Sequence, residues 1–261
     1  MSPVRRRPLG DGTYLVECDV VSSTQDEARA RLRAGLRGLA GVRAGYQVVG
    51  RGQERRRWVA PPDTCLLVTY VFEGDDCRPE RANRLAFVAG VAVCEALRVS
   101  AGLEARLKWP NDVVIEGRKL AGILVETVTV WLRERAPRVP QQRPHAAALV
   151  GIGLNVNVDR FAPEVGPRAT SVLLETGRVH AVEDIEEAVR VALRLARPLA
   201  WEETLARWRA LDVTAGVRFG AKVEGVAVEG TAEGVADSGA LLLRCGDRLL
   251  EAMSATHCEP T

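Results

Sequence analysis

The spacing of apolar and polar positions changes several times along the chain, and each spacing predicts one type of element. Continuous or alternating apolar runs, typical of strands, lie at residues 13–21, 46–49, 64–72, 113–115, 120–130 and 146–158. Apolar positions three and four residues apart, typical of helices, recur at residues 22–36, 81–98, 183–196 and 199–211. The mixture predicts an α+β fold in which a mixed β-sheet carries flanking helices.

Beyond Asp212 the pattern changes to short alternating runs separated by glycines. These runs lie at residues 217–228, 230–236, 240–244 and 248–253. Short, closely spaced strands with glycine-rich turns are typical of a small barrel. We therefore expect two domains, residues 1–213 and an SH3-like β-barrel at residues 214–261. The barrel is too small to be very stable alone, so it should pack on the larger domain.

The segment from Lys108 to Glu126 reads KWPNDVVIEGRKLAGILVE. Its two turns predict a hairpin with apolar strands and polar residues at its open end. Lysine occurs only at Lys108, Lys119 and Lys222 among 36 basic residues, so two of the three lysines lie here. A compact ammonium differs chemically from a planar guanidinium, and we interpret Lys108 and Lys119 as point charges used for chemistry. The alternative is that both are solvated turn residues.

A second polar segment, GRGQERRRW at residues 50–58, holds two glycines, four arginines and a terminal tryptophan. Nothing apolar before Trp58 would anchor it to a core. We interpret it as a mobile cationic loop that closes over an anionic substrate. A solvated surface loop or a small nucleic-acid patch is the alternative.

Polar residues also interrupt apolar surroundings at two other places. The sequence SSTQ at residues 22–25 opens a helix, and Thr24 with Glu27 fits a capping box. Its hydroxyls either cap the helix or bind a ligand at the helix amino terminus. Glycine and asparagine interrupt the apolar run at residues 146–158, which we interpret as a pocket wall rather than plain core. The Pro- and Arg-rich residues 133–145 predict a loop or an insertion.

Composition narrows the functional classes. A hydrophobic fraction of 47% supports a real core, and a net charge of +2 argues against a protein that coats nucleic acid or a membrane. Six cysteines without a CxxC pair and three scattered histidines argue against a zinc site and indicate buried thiols in a reducing compartment. With no apolar run of membrane-spanning length, we expect a soluble, cytoplasmic protein without a membrane partner.

Taken together, the loop at residues 50–58, the hairpin at residues 108–126 and Asn155 supply the groups that a reaction of a carboxylate with a nucleoside triphosphate would need. Arginine and lysine can neutralise two anionic reactants and hold them in line. Asp112 is a candidate Mg²⁺ ligand, and the amides of Asn111 and Asn155 suit a base or a ribose. Neither GxxxxGK[ST] nor GxGxxG after a strand occurs, so any nucleotide would be bound by another type of site.

KWPND, GRKLAGILVE and GIGLNVN occur in this order and strongly resemble motifs of the biotin–protein ligases. Two further segments stand at the expected places before these motifs: SSTQDEA and GRGQERRRW. The second is similar to that family's GRGRxGRxW loop. The resemblance covers roughly residues 14 to 253. It implies the biotin–lipoate ligase fold, which is similar to class II aminoacyl-tRNA synthetases, followed by the barrel.

The reaction that this resemblance implies has two steps. Biotin and MgATP form biotinyl-5′-AMP and pyrophosphate. A lysine of the biotin carboxyl carrier protein, a subunit of acetyl-CoA carboxylase, then takes the biotin and releases AMP. ATP and Mg²⁺ are thus the implied cofactors, and biotin and the carrier protein are the implied partners.

The resemblance also implies roles for individual residues. The implied biotin site consists of Ser23, Thr24, Gln25, Gln47, Gly50, Arg51, Gly52, Gln53, Lys119, Gly122, Leu124, Gly151 and Gly153. The implied ATP site consists of Arg56 on the triphosphate, Trp58 near the adenine, Asn111 and Asn155, with Asp112 as the metal ligand. The implied catalytic residues are Arg51, Lys108 and Lys119, which contact the biotin carboxylate, the adenylate phosphate and the activated carbonyl.

The sequence departs from that family's pattern in three places. Gln53 stands where the loop usually has arginine, and Arg55 where it usually has glycine. We therefore expect faster escape of the anionic adenylate and some untargeted biotinylation. Val59 and Ala60 replace an aromatic residue and serine, which predicts thinner adenine stacking. The short segment before the first strand leaves no room for the helix-turn-helix of many relatives, so no DNA partner is expected.

Other functions stay open. A lipoate or octanoate ligase would share the fold, although KWPND and GRGxxxRxW favour biotin. A non-catalytic vitamin-binding or regulatory protein is disfavoured, because a neutral ureido ring would not require the charges of Arg51, Lys119 and Asp112. A nucleic-acid-binding module would need a basic face, which the balanced charge does not supply. A homodimer is compatible with the sequence.

Overall fold

One eight-stranded sheet, with the strand order β1-β2-β3-β4-β8-β7-β6-β5, dominates the structure. The computed structural model describes residues 4–53, 56–133, 142–163 and 165–257. The strands are β1 (Val4–Pro8), β2 (Tyr14–Val21), β3 (Leu39–Gln47), β4 (Cys65–Glu73), β5 (Arg106–Lys108), β6 (Asp112–Ile115), β7 (Arg118–Arg133) and β8 (Gln142–Asn155). β2 and β3 pair in parallel, and the other described neighbours pair in antiparallel fashion. The sheet is therefore mixed, as the sequence predicts.

Helices cover both faces of this sheet. They are α1 (Thr24–Arg33), α2 (Pro79–Ala82), α3 (Arg84–Ala101), α4 (Val172–Thr176), α5 (Val182–Ala196) and α6 (Trp201–Leu211). α3 supplies most of the helical part of the larger core, which it shares with α5, α6 and alternate residues of the strands. The intervening strand residues face the other side, where Ala28 and Leu32 of α1 pack against Val16 and Val42.

The tryptophans of α6 are packing residues, as predicted. Trp208 is fully buried, with its ring centroid 4.3 Å from that of Phe87. Gly90 of α3 makes room for it, because a Cβ at Gly90 would lie 2.7 Å from Cζ3 of Trp208. A glycine in a helix interior is unfavourable for the helix itself, but here it allows α3 and α6 to pack closely.

A buried carboxylate fastens the edge strand β1 to the core. Glu186 of α5 is 0% exposed, forms an ion pair with Arg7 of β1, and accepts a hydrogen bond from the Tyr70 hydroxyl at 2.9 Å. Arg190, one helical turn later, lies 3.9 Å from the same carboxylate. Burial, reinforced by the charge of Glu186, raises the pKa of Tyr70, so the phenol remains a proton donor.

The remaining strands form a second sheet with the order β12-β11-β10-β9-β13. They are β9 (Arg218–Val223), β10 (Val226–Val235), β11 (Leu241–Cys245), β12 (Arg248–Ala252) and β13 (Ala255–His257), all paired in antiparallel fashion. Trp109 joins the two sheets, because its Nε1 donates to the carbonyl of Gly239 at 3.1 Å and its ring meets the edge of Phe219. A mixed α+β layer followed by a small antiparallel sheet confirms the predicted fold class.

Several element boundaries differ from the predicted ones. β3 begins at Leu39, well before the predicted run, because parallel pairing with β2 carries it through two glycines and an arginine that obscure the pattern. The pattern does not predict β1 or α4. β8 begins at Gln142, so residues 142–145 of the predicted loop are strand, while residues 134–141 of that loop lie outside the described residues.

None of the helices in the described part of the chain combines the length and apolar character that a membrane crossing requires. The described cysteines are all free thiols, and four of them are buried. Burial raises the pKa of Cys65 to about 11, and those of Cys77 and Cys94 to about 12. These thiols are therefore structural rather than reactive, as their sequence context predicts.

Candidate functional site

A cavity of about 220 Å³ opens between the start of α1, the loop at residues 50–58 and the hairpin formed by β6 and β7. The predicted site residues that line it are Ser23, Thr24, Gln25, Gln47, Arg51, Gly52, Gln53, Arg56, Trp58, Lys108, Asn111, Asp112, Lys119, Gly122, Leu124, Gly151 and Gly153. Segments far apart in the sequence thus meet around one concave site, which is the usual form of a small-molecule pocket.

Of the predicted site residues, Gly50 and Asn155 lie outside this lining. Asn155 is buried; its Nδ2 donates to the carbonyl of Thr170 at 2.9 Å, and Cys65 Sγ donates to its Oδ1 at 3.6 Å. Gly50 is buried at the base of the loop, where a Cβ would be 2.3 Å from the carbonyl oxygen of Trp58. A ligand contact by either residue stays a prediction.

The start of α1 presents polar groups to the cavity. Thr24 and Glu27 do not form the predicted capping box: Ser23 is the N-cap residue and makes no side-chain cap bond. Thr24 instead donates from its amide and its hydroxyl to Oε1 of Gln47, at 2.8 and 3.1 Å, and accepts from the hydroxyl of Thr69 at 2.9 Å. The cap prediction is wrong because tertiary partners from β3 and β4 compete for the same groups.

Three buried polar atoms at the cavity have no hydrogen-bond partner in the described structure: Ser23 Oγ, Gln25 Oε1 and Trp58 Nε1. Leaving such an atom unpaired costs about 1–3 kcal/mol. Natural proteins satisfy nearly all buried polar groups, and unpaired ones that line a pocket indicate a polar ligand. This is the strongest structural sign that the cavity is a binding site.

Glycines form the floor of the cavity, and each leaves room for a particular side chain. A Cβ at Gly153 would lie 2.6 Å from Cε2 of Trp58, and one at Gly122 would lie 3.2 Å from Nζ of Lys119. A Cβ at Gly151 would lie 3.3 Å from Cδ of Gln25. The interpretation of this strand as a pocket wall is therefore supported, and side chains lie flat against the backbone of β7 and β8.

The loop at residues 50–58 closes as a narrow hairpin. The amide of Trp58 donates to the carbonyl of Gly50 at 3.1 Å, and that of Gly52 to the carbonyl of Arg56 at 2.8 Å. This closure delivers Trp58 to the cavity floor, with its ring centroid 5.9 Å from Nζ of Lys119. Arg55, one of the departures from the family pattern, lies outside the described residues, as does Glu54.

Cationic side chains converge on one side of the cavity. Nζ of Lys119 lies 2.5 Å from Oδ1 of Asp112. Burial lowers the pKa of Lys108; Asp112 opposes this shift and Lys119 adds to it. Arg51 pairs with Asp26 at 2.7 Å and with Glu126 at 2.8 Å. Lys108 and Lys119 line the cavity near one carboxylate, that of Asp112, which leaves net positive charge for an anionic ligand.

Some lining residues were not predicted from the sequence. They are Arg57, Val68, Trp109, Pro110, Ile123, Ile152, Phe219, Ala255 and Thr256. Trp109 and Pro110 belong to KWPND, so the motif itself could have indicated them. The last three come from the second sheet, and no sequence pattern shows that this sheet reaches the cavity. Asn111, which was predicted, is held by a hydrogen bond from its Nδ2 to the carbonyl of Ile123 at 2.6 Å.

Family comparisons agree with this geometry. A family described as the biotin/lipoate A/B protein ligase family matches residues 18–134, and the biotin protein ligase C-terminal domain matches residues 217–257. The biotin–[acetyl-CoA-carboxylase] ligase of Paracoccus denitrificans is 38% identical over 85% of this chain and 90% of that protein. The enzyme of the same name from Mycobacterium tuberculosis is 31% identical over 94% of this chain and 90% of its own.

Solved structures show the same fold at lower sequence identity. The biotin protein ligase of Aquifex aeolicus in complex with biotin and ATP superposes with a TM-score of 0.72, at 22% identity, over 94% of this chain and 99% of that one. The chain is similar to the Paracoccus relative over 90% of that protein, and its matched motifs surround one cavity. The chain belongs to the biotin protein ligase family.

Proposed function

We propose that this chain is a biotin–protein ligase that forms biotinyl-5′-AMP from biotin and MgATP and transfers the biotin to a lysine of the biotin carboxyl carrier protein. Two relatives carry the name biotin–[acetyl-CoA-carboxylase] ligase, and the Aquifex aeolicus neighbour was solved with biotin and ATP. The ligase class follows from the family. The roles of individual residues and the identity of the carrier are our proposals.

One observation carries the choice of substrate: unpaired polar atoms and cations lie on the same cavity. A ureido group has one carbonyl acceptor and two N–H donors, so Ser23 Oγ can donate to it and Gln25 Oε1 can accept from it. Lys119 and Lys108 supply positive charge for the carboxylate at the other end of the molecule. Biotin has this combination of a neutral polar head and an anionic tail.

In the first step, a carboxylate oxygen of biotin forms a bond to the α-phosphorus of ATP, and the bond from that phosphorus to the pyrophosphate oxygen breaks. Both reactants are anions, so cations must lower their repulsion and stabilise the charge of the transition state. Lys119 and Arg51 serve the carboxylate and the α-phosphate, Lys108 is the second phosphate or acyl contact, and Arg56 serves the triphosphate. Trp58 lies at the cavity floor and stacks near the adenine.

Asp112 fits the expected magnesium ligand. It is the only carboxylate among the described residues that line the cavity, and no group of three His, Cys, Asp or Glu residues suited to a metal occurs in the described part of the chain. Mg²⁺ is commonly held by one or two carboxylates together with substrate phosphates and water. Asp112 would hold the ion, which neutralises phosphate charge, and Asn111 would contact the nucleotide.

In the second step, the ε-amine of the acceptor lysine attacks the acyl carbon of the adenylate. A C–N bond forms, the acyl–phosphate C–O bond breaks, AMP leaves, and the amine loses a proton. Lys119 would stabilise the oxyanion that develops on the carbonyl. Because Phe219, Ala255 and Thr256 line the cavity, the residues 214–261, which we propose as a separate domain, would help to enclose the intermediate.

The direct test is incubation of the purified protein with biotin, ATP and Mg²⁺, followed by mass spectrometry. Biotinyl-5′-AMP and pyrophosphate should appear first, and a carrier domain should gain one biotin at one lysine. Lipoic acid in parallel separates the two ligase specificities: lipoyl-AMP with no biotinyl-AMP would contradict our assignment. Tight binding of biotin without any adenylate would instead support a non-catalytic binding protein.

The loop residue Gln53 gives a prediction about retention of the intermediate. Gln53 is exposed and lines the cavity. Changing it to arginine adds a charged donor near the anionic adenylate, which should slow its release by the equivalent of about 1–3 kcal/mol. Release can be followed by stopped-flow displacement of preformed biotinyl-5′-AMP. The control is Val179→Arg, which adds the same charge at an exposed position away from the cavity and should leave release unchanged. An unchanged release rate for Gln53→Arg would refute the idea.

A reducing cytoplasm is the proposed location of this reaction. The described cysteines form no disulfide, and free buried thiols are typical of reducing compartments. The biotin carboxyl carrier protein would have to share that compartment.

A further inference from the structure

A carboxylate on β7 contacts two of the residues that we assign to biotin binding. Gly122, Leu124 and Glu126 alternate along one face of β7, and the first two line the cavity. Glu126 is the next member of this row and lies just beyond the lining. Its side chain is only 22% exposed, which is unusual for a glutamate with no assigned role.

The first contact of Glu126 orients the amide of Gln25. Nε2 of Gln25 donates to Oε2 of Glu126 at 3.1 Å and lies 3.3 Å from the carbonyl of Leu124. Both of these partners are acceptors, so the opposite orientation of the amide would place its oxygen against two oxygens. The side chain also lies flat on Gly151. Oε1 of Gln25 is consequently left as a buried, unpaired acceptor at the cavity.

The second contact of Glu126 holds Arg51. Nη2 of Arg51 lies 2.8 Å from Oε1 of Glu126, and Nη1 lies 2.7 Å from Asp26. Arg29 joins the same two carboxylates, at 2.9 Å each. Two cations and two anions thus form a closed ring. Arg29 and Asp26 come from α1, Glu126 comes from β7, and Arg51 is the member that the glycine-flanked loop contributes.

We propose that Glu126 is a positioning residue for biotin: it fixes Gln25 with Oε1 facing the cavity and holds Arg51 at the cavity mouth. This role rests on the proposed function. Glu126 reaches both ends of the expected ligand, because Gln25 serves the neutral head and Arg51 serves the anionic end. The Asp26 carboxylate pairs with Arg51 and Arg29, whereas the side-chain amide of Gln25 donates to Glu126 and to the carbonyl of Leu124. The two carboxylates therefore have separable effects.

Double-mutant cycles on biotin affinity test this role. Glu126→Gln should raise the dissociation constant of biotin about tenfold, near the lower limit for loss of one hydrogen bond to a charged group. In a Gln25→Ala background the same change should cost less than about threefold, because the residue that it orients is gone. Asp26→Asn should couple to Arg51→Ala and be additive with Gln25→Ala. For Glu126→Gln the loss should fall mainly on biotin, so the KM for ATP should stay within about threefold.

A purely structural ring would give a different pattern. Glu126→Gln would then lower the melting temperature while leaving biotin affinity as in the wild type, or its effect would be additive with Gln25→Ala; either result overturns the proposal. The control is Glu233→Gln, which breaks a surface ion pair with Arg244 away from the cavity and should change no binding parameter. Absence of adenylate with the wild-type protein would contradict the proposed function itself. A wild type that forms adenylate but shows additive variants would contradict only the positioning role.

Discussion

Replacing Lys119 with methionine is expected to slow adenylate formation by about 10²–10³-fold, which is the usual effect of removing one preorganised charge or donor from a transition state. Lys119 lines the cavity, lies 2.5 Å from Asp112, and passes over the floor that Gly122 leaves open. Its charge is therefore held where we propose that the carboxylate and the α-phosphate meet. Single-turnover formation of biotinyl-5′-AMP at saturating biotin and ATP measures the loss directly.

The chain offers a matched control for this substitution. Lys222 on β9 is exposed and does not line the cavity, so Lys222→Met should leave the rate unchanged. Lys119→Arg keeps the charge but not the compact ammonium, and it should restore little activity. A rate for Lys119→Met within tenfold of the wild type, in a protein with normal thermal stability, would remove Lys119 from the chemistry.

Changing Glu186 to glutamine is expected to cost about 3 kcal/mol of the free energy of unfolding, because removal of one partner from a buried ion pair typically costs 3–5 kcal/mol. Glu186 is fully buried and carries the contacts to Arg7 and Tyr70 described above. The neutral amide would remove the buried charge that Arg7 and Arg190 share, while Arg7 keeps Glu17 and Arg190 keeps Glu187, so we expect the lower end of that range. Urea denaturation, with the midpoint and the slope both fitted, gives the change in unfolding free energy.

The neighbouring residue provides the comparison. Glu187 sits on the same helix and pairs with Arg190, but its side chain is 50% exposed. Exposed ion pairs contribute about 1 kcal/mol or less, so Glu187→Gln should have a small effect. Equal losses for the two variants would show that Glu186 does not behave as a buried ion pair. Neither variant touches the cavity, and adenylate formation should persist in folded protein.

Local patterns predicted much of the fold because the chain's apolar spacing agrees with its final pairing. The run at residues 64–72 became β4, buried on both faces, and the spacing at residues 183–196 became α5. The apolar pattern did not predict strands whose pairing with a neighbouring strand outweighed the local preference of their residues. β3 continues through residues 39–45 because β2 offers it a parallel partner, and β1 forms although its three arginines give no strand signal.

The candidate site was predictable where short motifs concentrate chemistry. KWPND and RKLAGIL brought Lys108, Asn111, Asp112 and Lys119 to the list of site residues, and the structure places all four at the cavity. Asn155 shows the limit of such reasoning. An asparagine in an apolar strand needs partners, but the sequence does not show whether they are a ligand or, as here, the Thr170 carbonyl and the Cys65 thiol.

The sequence by itself determined the family, the α+β class and the charged groups that we propose for the reaction, because these depend on residue types at short, fixed spacings. Only the tertiary structure decided which polar atoms stay unpaired at the cavity, that Glu126 holds both Gln25 and Arg51, and that Phe219 reaches the cavity from the second sheet. Those facts depend on distances between segments up to two hundred residues apart. Packing of the whole chain sets such distances, and no local pattern encodes them.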